Sequence, residues 1–121
     1  MRTKIFIITL VFILLSGCMQ NTLYYWSGYS RTLYKYKQRP DEVTLAKHMK
    51  VIKKIFAHSE MYNRKVAPGV YCEYGYLLLL SGDTKGAEKY FALEQETYPE
   101  STKFVQLLMQ NVESQKGVIN E

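Results

Sequence analysis

Apolar residues recur at helical spacing through most of the chain beyond residue 27. In the clearest segment, from Asp41 to about Tyr62, the apolar positions are Leu45, Met49, Ile52 and Phe56. Intervals of three and four residues place such side chains on one face of a helix, which then packs against the rest of the protein. A proline and two acidic residues open this segment, and both are typical of a helix start. The pattern predicts a long amphipathic helix.

Four further segments are predicted to be helical from their spacing and from the residues at their ends. They are Ser27–Gln38, Pro68 to about Ser81, Thr84 to about Thr97, and a last helix capped by Ser101. Gly82 is a helix stop, Asp83 is an N-cap, and Pro99 ends the helix before it. No strand pattern competes with these assignments. The sequence predicts an all-α fold of about five helices in antiparallel, tetratricopeptide-like pairs.

In the last helix, we expect Phe104, Leu107 or Leu108, and Val112 to form the apolar stripe. The tail beyond this helix lacks such a pattern and is predicted to fray. The helical domain is therefore placed at residues 24–116 and the frayed tail at 117–121.

The N-terminus has the pattern of a bacterial lipoprotein signal. Arg2 and Lys4 precede an uncharged apolar run over residues 5–15, which is shorter than the ~20 residues of a transmembrane helix. Leu15-Ser16-Gly17-Cys18 follows as a lipobox. We expect cleavage between Gly17 and Cys18, with lipid attached to the Cys18 thiol. Residues 1–17 are then a signal peptide that we expect to be helical. Residues 18–23 contain the lipidated cysteine and a short tether.

The anchor predicts a location in the cell envelope. Met19 follows the cysteine, in place of the aspartate that resembles an inner-membrane retention signal, so we expect the periplasmic face of the outer membrane. The short tether holds the domain close to the bilayer. Two interpretations of Tyr24-Tyr25-Trp26 stay open: the rings lie in the membrane interface, or they pack into the domain.

The cysteines and histidines indicate neither a metal site nor a cofactor. With Cys18 carrying lipid, Cys72 has no disulfide partner. His48 and His58 are ten residues apart on one predicted helix, which turns them about 80° from each other, so they do not form a ligand pair. No catalytic constellation emerges either, because Glu94 and Glu96 would point about 200° apart. We expect a protein that is not an enzyme and has no evident small-molecule substrate.

Charge is unevenly distributed between two halves of the chain. Residues 30–65 contain ten basic and three acidic residues, whereas residues 73–121 contain four and eight. A basic half is typical of nucleic-acid binding. Export from the cytoplasm excludes that partner in practice, so the basic half is interpreted as solvated helix faces or as a surface for an anionic membrane or acidic partner.

Residues 68–101 resemble one tetratricopeptide repeat, a 34-residue helix pair with the pattern W-x₂-L-G-x₂-Y…A-x₃-F…P. The matching positions are Tyr71, Tyr74, Gly75, Leu78, Ala87, Phe91 and Pro99. Gly75 and Ala87 are small where the two helices would cross, and Phe91 would fill the space beside them. An ordinary helical hairpin is the alternative.

The mature chain also resembles a family of small bacterial lipoproteins known as a domain of unknown function. The resemblance lies in residues 25–29, 33–36, 67–76, 90–91 and 98–101. This family is similar to the tetratricopeptide class and often accompanies a lipoprotein that resembles the curli secretion pore. The resemblance implies work in an envelope assembly or secretion complex, and it implies no catalytic residues.

These patterns favour a lipid-anchored adaptor that binds another envelope lipoprotein or pore subunit. Tyrosine offers a large contact area at low entropic cost, so exposed tyrosines are the candidate partner surface. They are Tyr29, Tyr34, Tyr36 and Tyr76, with Tyr71 and Tyr74 on the same predicted helices. The alternative is a membrane-proximal structural lipoprotein whose basic half binds anionic lipid or peptidoglycan.

Overall fold

The computed structural model describes residues 22–119 together with residues 1, 5 and 7, except for the side chains of residues 112, 113 and 115–119. The helices are α1 (Tyr29–Gln38), α2 (Glu42–Met61), α3 (Val70–Leu80), α4 (Thr84–Thr97) and α5 (Thr102–Ile119). The described residues contain no strand. The prediction of an all-α fold with about five helices is confirmed. Within the described ranges, no helix is both long and apolar enough to span a bilayer.

Two helices begin later than the sequence predicts, and left-handed backbone explains both differences. Ser27 and Gly28 have φ values of 41° and 77°, so α1 begins at Tyr29 instead of Ser27. Gly69 has a φ of 86°, which delays α3 from Pro68 to Val70. Glycine adopts this conformation without the steric cost that other residues incur.

Aspartate side chains fix the first turns of α2 and α4. The backbone N–H of Thr44 donates to Asp41 Oδ1 over 2.8 Å, and the Thr44 hydroxyl accepts from the Asp41 N–H over 3.2 Å. This reciprocal arrangement is a capping box. At α4, Asp83 Oδ1 accepts from the Gly86 N–H over 2.9 Å, as the sequence predicts. Both caps satisfy N–H groups that the helix itself leaves unpaired.

The last helix begins at Thr102, directly after Ser101, and extends beyond the predicted end. Pro99–Ser101 forms a 3₁₀ turn, and the Ser101 hydroxyl donates to the carbonyl of Tyr98 over 2.7 Å. The helix then continues to Ile119, past residue 116, where the domain was predicted to end.

The α3–α4 pair is antiparallel. The backbone N–H of Gly69, before α3, donates to the carboxylate of Glu94 near the end of α4. At the opposite end, Leu78 lies beside Gly86 in the first turn of α4. The turn between the helices closes at Gly82, whose φ is 83°. Short turns of this kind join antiparallel neighbours.

The α1–α2 pair is antiparallel as well. Residues 39–41 connect the two helices, and Arg39 forms an ion pair with Asp41 within that link. Further along the pair, the Thr32 hydroxyl lies 2.8 Å from Nδ1 of His48. No side chain of α1 is fully buried. The helix therefore covers the domain from one side and does not pass through its core.

Two apolar clusters form the core. The first joins α2, the connection after it and α3, and its buried members are Ile52, Ile55, Val66, Ala67, Val70, Tyr74 and Leu77. The second joins α3, α4 and α5, and its buried members are Cys72, Leu79, Ala87, Phe91 and Val105. Leu78 packs against both clusters. Helix α3 is therefore the central element of the domain.

The aromatic segment before α1, residues 24–26, packs in part onto the domain. Tyr24 and Tyr25 are half-buried against the first apolar cluster, and the Tyr25 ring stacks on His58 with centroids 3.7 Å apart. Trp26 lies further out and is exposed. Of the two interpretations of this aromatic segment, packing therefore applies to the two tyrosines.

Candidate functional site

An apolar groove runs between α3 and α5. Its volume is about 350 Å³, and its lining residues are Gly69, Cys72, Glu73, Tyr76, Phe104 and Leu108. Helix α3 supplies one wall from its solvent-facing side, and the first turns of α5 supply the other. Carbon atoms form most of the lining, which is typical of a surface that binds an apolar ligand or partner.

Large apolar side chains are left in solvent along this groove. Tyr76 is 47% exposed and Phe104 is 57% exposed. Leu107, on the same helix as Phe104, is 60% exposed and lies outside the lining of the groove. Each square ångström of apolar surface removed from water contributes roughly 25 cal/mol, so a partner that covers these side chains would gain substantial binding free energy.

The predicted stripe of α5 is wrong at Phe104 and right at Leu108, and the side chain of Val112 lies outside the described residues. The error at Phe104 is the reason why the sequence does not predict the groove. Val105 is fully buried, while Phe104 and Leu107 point outward. Leu108 is half-buried at the contact with the second apolar cluster. The packed face of α5 is therefore rotated relative to the predicted stripe.

Cys72 forms part of the groove floor and is held as a neutral thiol. The residue is buried, with 4% of its surface exposed. Burial, together with the charge of Glu94, raises the pKa of the thiol to about 12. A nucleophilic cysteine needs the opposite shift. Cys72 packs in the second apolar cluster.

A polar network joins the edge of the groove to the first helix pair. Glu73 Oε1 lies 3.0 Å from Nε2 of His48, and Glu73 Oε2 accepts a hydrogen bond from the Tyr29 hydroxyl. His48 is completely buried. The second nitrogen of its ring lies 2.8 Å from the Thr32 hydroxyl, which itself donates to the Tyr29 carbonyl over 3.1 Å. Helices α1, α2 and α3 thus meet at one set of polar contacts.

Both ring nitrogens of His48 have a hydrogen-bond partner. Nδ1 lies beside the Thr32 hydroxyl of α1, and Nε2 lies beside the Glu73 carboxyl group of α3. A buried imidazole needs such partners, because a buried polar atom left unpaired costs free energy. His48 therefore links α1 to α3 through this contact with Glu73. Sequence reasoning missed it because His48 and Glu73 are far apart along the chain.

The candidate partner tyrosines fall into two groups. Tyr34 and Tyr76 are exposed, whereas Tyr29 and Tyr36 are half-buried against the first apolar cluster. The structure therefore leaves two of the four candidates on the surface, and only Tyr76 lies in the groove.

Three residues of the repeat pattern, Gly75, Ala87 and Phe91, meet at the crossing of α3 and α4. A Cβ placed on Gly75 would lie 2.8 Å from the ring of Phe91 and 3.1 Å from the Ala87 carbonyl oxygen. Tyr74, Gly75, Ala87 and Phe91 are buried, and Leu78 is half-buried. Tyr71 stacks on Phe56 with centroids 5.0 Å apart, and Pro99 is exposed in the 3₁₀ turn.

Glu94 and Glu96 point apart. Glu94 is almost completely buried, with its Oε1 accepting from the Gly69 N–H over 2.8 Å, whereas Glu96 is exposed. A carboxylate at the start of α3 interacts favourably with the helix dipole. Glu94 therefore ties the end of α4 to the start of α3.

Several predicted features lie outside the described residues or form no site within them. Gly17, Cys18 and the lipobox belong to the residues that the structure does not describe, as does most of the signal segment. Among the residues it does describe, no three histidine, cysteine or acidic side chains form a group that could hold a metal ion.

Two antiparallel helix pairs and a terminal helix define a small all-α domain with an apolar groove. Residues 23–108 match the family described as "Domain of unknown function (DUF4810)". The match covers most of the chain, so the protein belongs to this family. No curated protein and no solved structure matches the chain.

Proposed function

We propose that this protein is a lipid-anchored adaptor of the cell envelope that binds another envelope protein in the groove between α3 and α5. The observation that carries the proposal is the exposed apolar surface of Tyr76 and Phe104, which both line the groove. Soluble domains rarely leave adjoining large apolar side chains in water, and such patches mark interaction sites.

The occupant that fits this groove is an amphipathic helix of the partner. Both walls are helices, and a third helix laid between them can insert apolar side chains at intervals of three and four residues. Tetratricopeptide-like pairs leave such a channel along the first helix of each pair, and the packing of Gly75 against Phe91 supports that likeness. The partner is then a pore or lipoprotein subunit, which the adaptor helps to assemble or to place.

The anchor at Cys18 determines where this binding occurs. A lipid on Cys18 leaves only a few residues before Tyr24, which already packs on the domain. The groove is therefore held near the outer membrane, on its periplasmic face. Mass spectrometry of the purified N-terminus tests this part, because we expect an acylated Cys18 and no remaining signal peptide.

A charge placed in the groove tests the adaptor directly. The tagged full-length protein is expressed in its host, crosslinked and purified in the wild-type form and as Phe104→Asp. Because a charge in an apolar hot spot costs roughly 2 kcal/mol or more, we expect at least a tenfold loss of the co-purified envelope protein. Deletion of the gene should also mislocalise the pore subunit.

The matched control is Tyr62→Asp, which adds the same charge to an exposed aromatic position outside the groove. This variant should recover the partner as well as the wild type does. Equal recovery by both variants, with circular dichroism unchanged, would exclude the groove as the binding site.

A further inference from the structure

A cationic cleft lies between α1 and α2, in a different part of the molecule from the apolar groove. Its volume is about 410 Å³. Arg31, Lys35 and Arg39 line it from the first helix and the link after it, and Lys47 lines it from the second helix. No acidic side chain belongs to the lining. The cleft therefore collects positive charge from two facing elements.

Most of this charge has no ion-pair partner among the residues that the structure describes. Arg39 forms an ion pair with Asp41, with 2.8 Å between Nε and Oδ2. In the part of the chain that the structure describes, Arg31, Lys35 and Lys47 form no ion pair. Cations of one sign that line a concave surface raise the local potential and attract anions.

The hydroxyl groups in the cleft are already occupied. Thr44 donates to the Arg39 carbonyl over 2.6 Å, and Thr32 donates to the Tyr29 carbonyl over 3.1 Å. A ligand would therefore be held by the arginine and lysine side chains. Guanidinium and ammonium groups together favour an ion with several charged oxygens over a single carboxylate.

We propose that this cleft binds a phosphate group, supplied either by the headgroup of an anionic phospholipid or by a soluble phosphorylated compound. The site is separate from the groove of the proposed adaptor, and neither site depends on the other. Three cations without an ion-pair partner among the described residues, Arg31 and Lys35 of α1 and Lys47 of α2, line one cleft, and such a set suits an ion with several charged oxygens.

The experiment measures binding to the full chain in neutral maltoside micelles by calorimetry. One arm titrates inorganic phosphate at constant ionic strength, and the other adds phosphatidylglycerol or phosphatidylcholine to the micelles. The test variant Lys35→Gln with Lys47→Gln removes one cation from each wall. Losing two charge-assisted contacts should weaken binding at least about tenfold.

The matched control is Lys37→Gln with Lys54→Gln, which removes the same charge from the same two helices outside the cleft. It should change the affinity less than about twofold, as expected of exposed charges at a distance. Thermal melting of both double variants checks that the fold is kept.

The two arms separate the sources of the phosphate. Binding of inorganic phosphate that requires Lys35 and Lys47 supports the site and a soluble ligand. Binding of phosphatidylglycerol alone, with the same requirement and without binding of phosphatidylcholine, supports a lipid headgroup. Absence of binding in both arms, or equal weakening by test and control variants, overturns the proposal.

Discussion

The second helix pair, α3 with α4, closes through a tight crossing of small and apolar residues, whereas the first pair, α1 with α2, combines half-buried tyrosine rings with polar contacts. In the second pair, Gly75 brings the α3 backbone against the Phe91 ring and the Ala87 carbonyl. In the first pair, Thr32 reaches His48, and α1 buries no side chain completely. A pair held by close packing behaves as one body, while a pair held by directional polar contacts can open locally.

The difference also determines which surfaces remain free for binding. Helix α3 packs against both apolar clusters, so Tyr76, one of its exposed residues, is held on a rigid wall of the groove. Helix α1 is basic and lies outside the core, which leaves Arg31 and Lys35 free to line the cationic cleft. The proposed partner groove thus uses α3 of the second pair, and the proposed anion site uses the first pair.

The largest expected effect comes from breaking the close crossing of the second pair. In Gly75→Leu, the new side chain meets a ring with 0% exposure and a backbone oxygen 3.1 Å from its first carbon. Overpacking of this kind costs about 3 kcal/mol at the upper end of the usual range. Ala87→Leu should act in the same direction, because Ala87 is equally enclosed.

Urea denaturation followed by circular dichroism measures this loss. Tyr76→Leu is the control, since it places the same side chain on the exposed side of the same helix. If Gly75→Leu and Ala87→Leu both unfold at the urea concentration of the wild type, the crossing does not lie at these residues.

The second pair can be predicted from the sequence because its helix ends and its crossing depend on residues close together along the chain. Small residues at Gly75 and Ala87, with Phe91 at the proper interval, indicate a helix crossing by their spacing alone. The helix ends at Asp83 and Gly82 follow from capping chemistry in the same way.

The first pair and the groove depend on contacts that are distant in sequence. His48 and Glu73 are separated by 25 positions, and no periodicity pairs them. The position of the second apolar cluster determines which face of α5 packs. Spacing alone places Phe104 on the packed face, whereas the structure leaves it exposed. Lys35 and Lys47 were visible only as members of a basic half, because their shared cleft requires the fold.

We expect an intermediate loss of stability when the Glu73 side chain, which joins the first pair to α3, no longer accepts hydrogen bonds. In Glu73→Leu, His48 Nε2 and the Tyr29 hydroxyl lose their common partner. A buried donor left unpaired costs about 2 kcal/mol. We expect amide hydrogen exchange to rise over residues 29–38 while residues 84–97 stay protected, because α1 is released from the domain before the second pair opens.

Glu96→Leu is the control for this variant, since Glu96 is exposed and lies on the second pair. Its exchange pattern should match that of the wild type. If exchange rises equally in α1 and α4 after Glu73→Leu, the two pairs open as one unit. The first pair would then not be the less stable of the two.

The smallest effect concerns the Tyr29 hydroxyl and depends on pH. Burial, the hydrogen bond to Glu73 and the charge of that carboxylate raise the pKa of Tyr29 above its ordinary value of 10.0. The folded protein then holds this proton more tightly than the unfolded chain does, so the contribution is complete below pH 10 and is lost as the pH rises further. At neutral pH, Tyr29→Phe should cost about 1 kcal/mol through the lost hydrogen bond. In urea titrations from pH 8 to pH 11, the stability of Tyr29→Phe should therefore fall less steeply than that of the wild type above pH 10.

The control is Tyr34→Phe, which removes the hydroxyl of an exposed ring on the same helix. This variant should unfold at the same urea concentration as the wild type at neutral pH. Parallel alkaline slopes for Tyr29→Phe and the wild type would show that the contact between α1 and Glu73 does not hold the first pair in place.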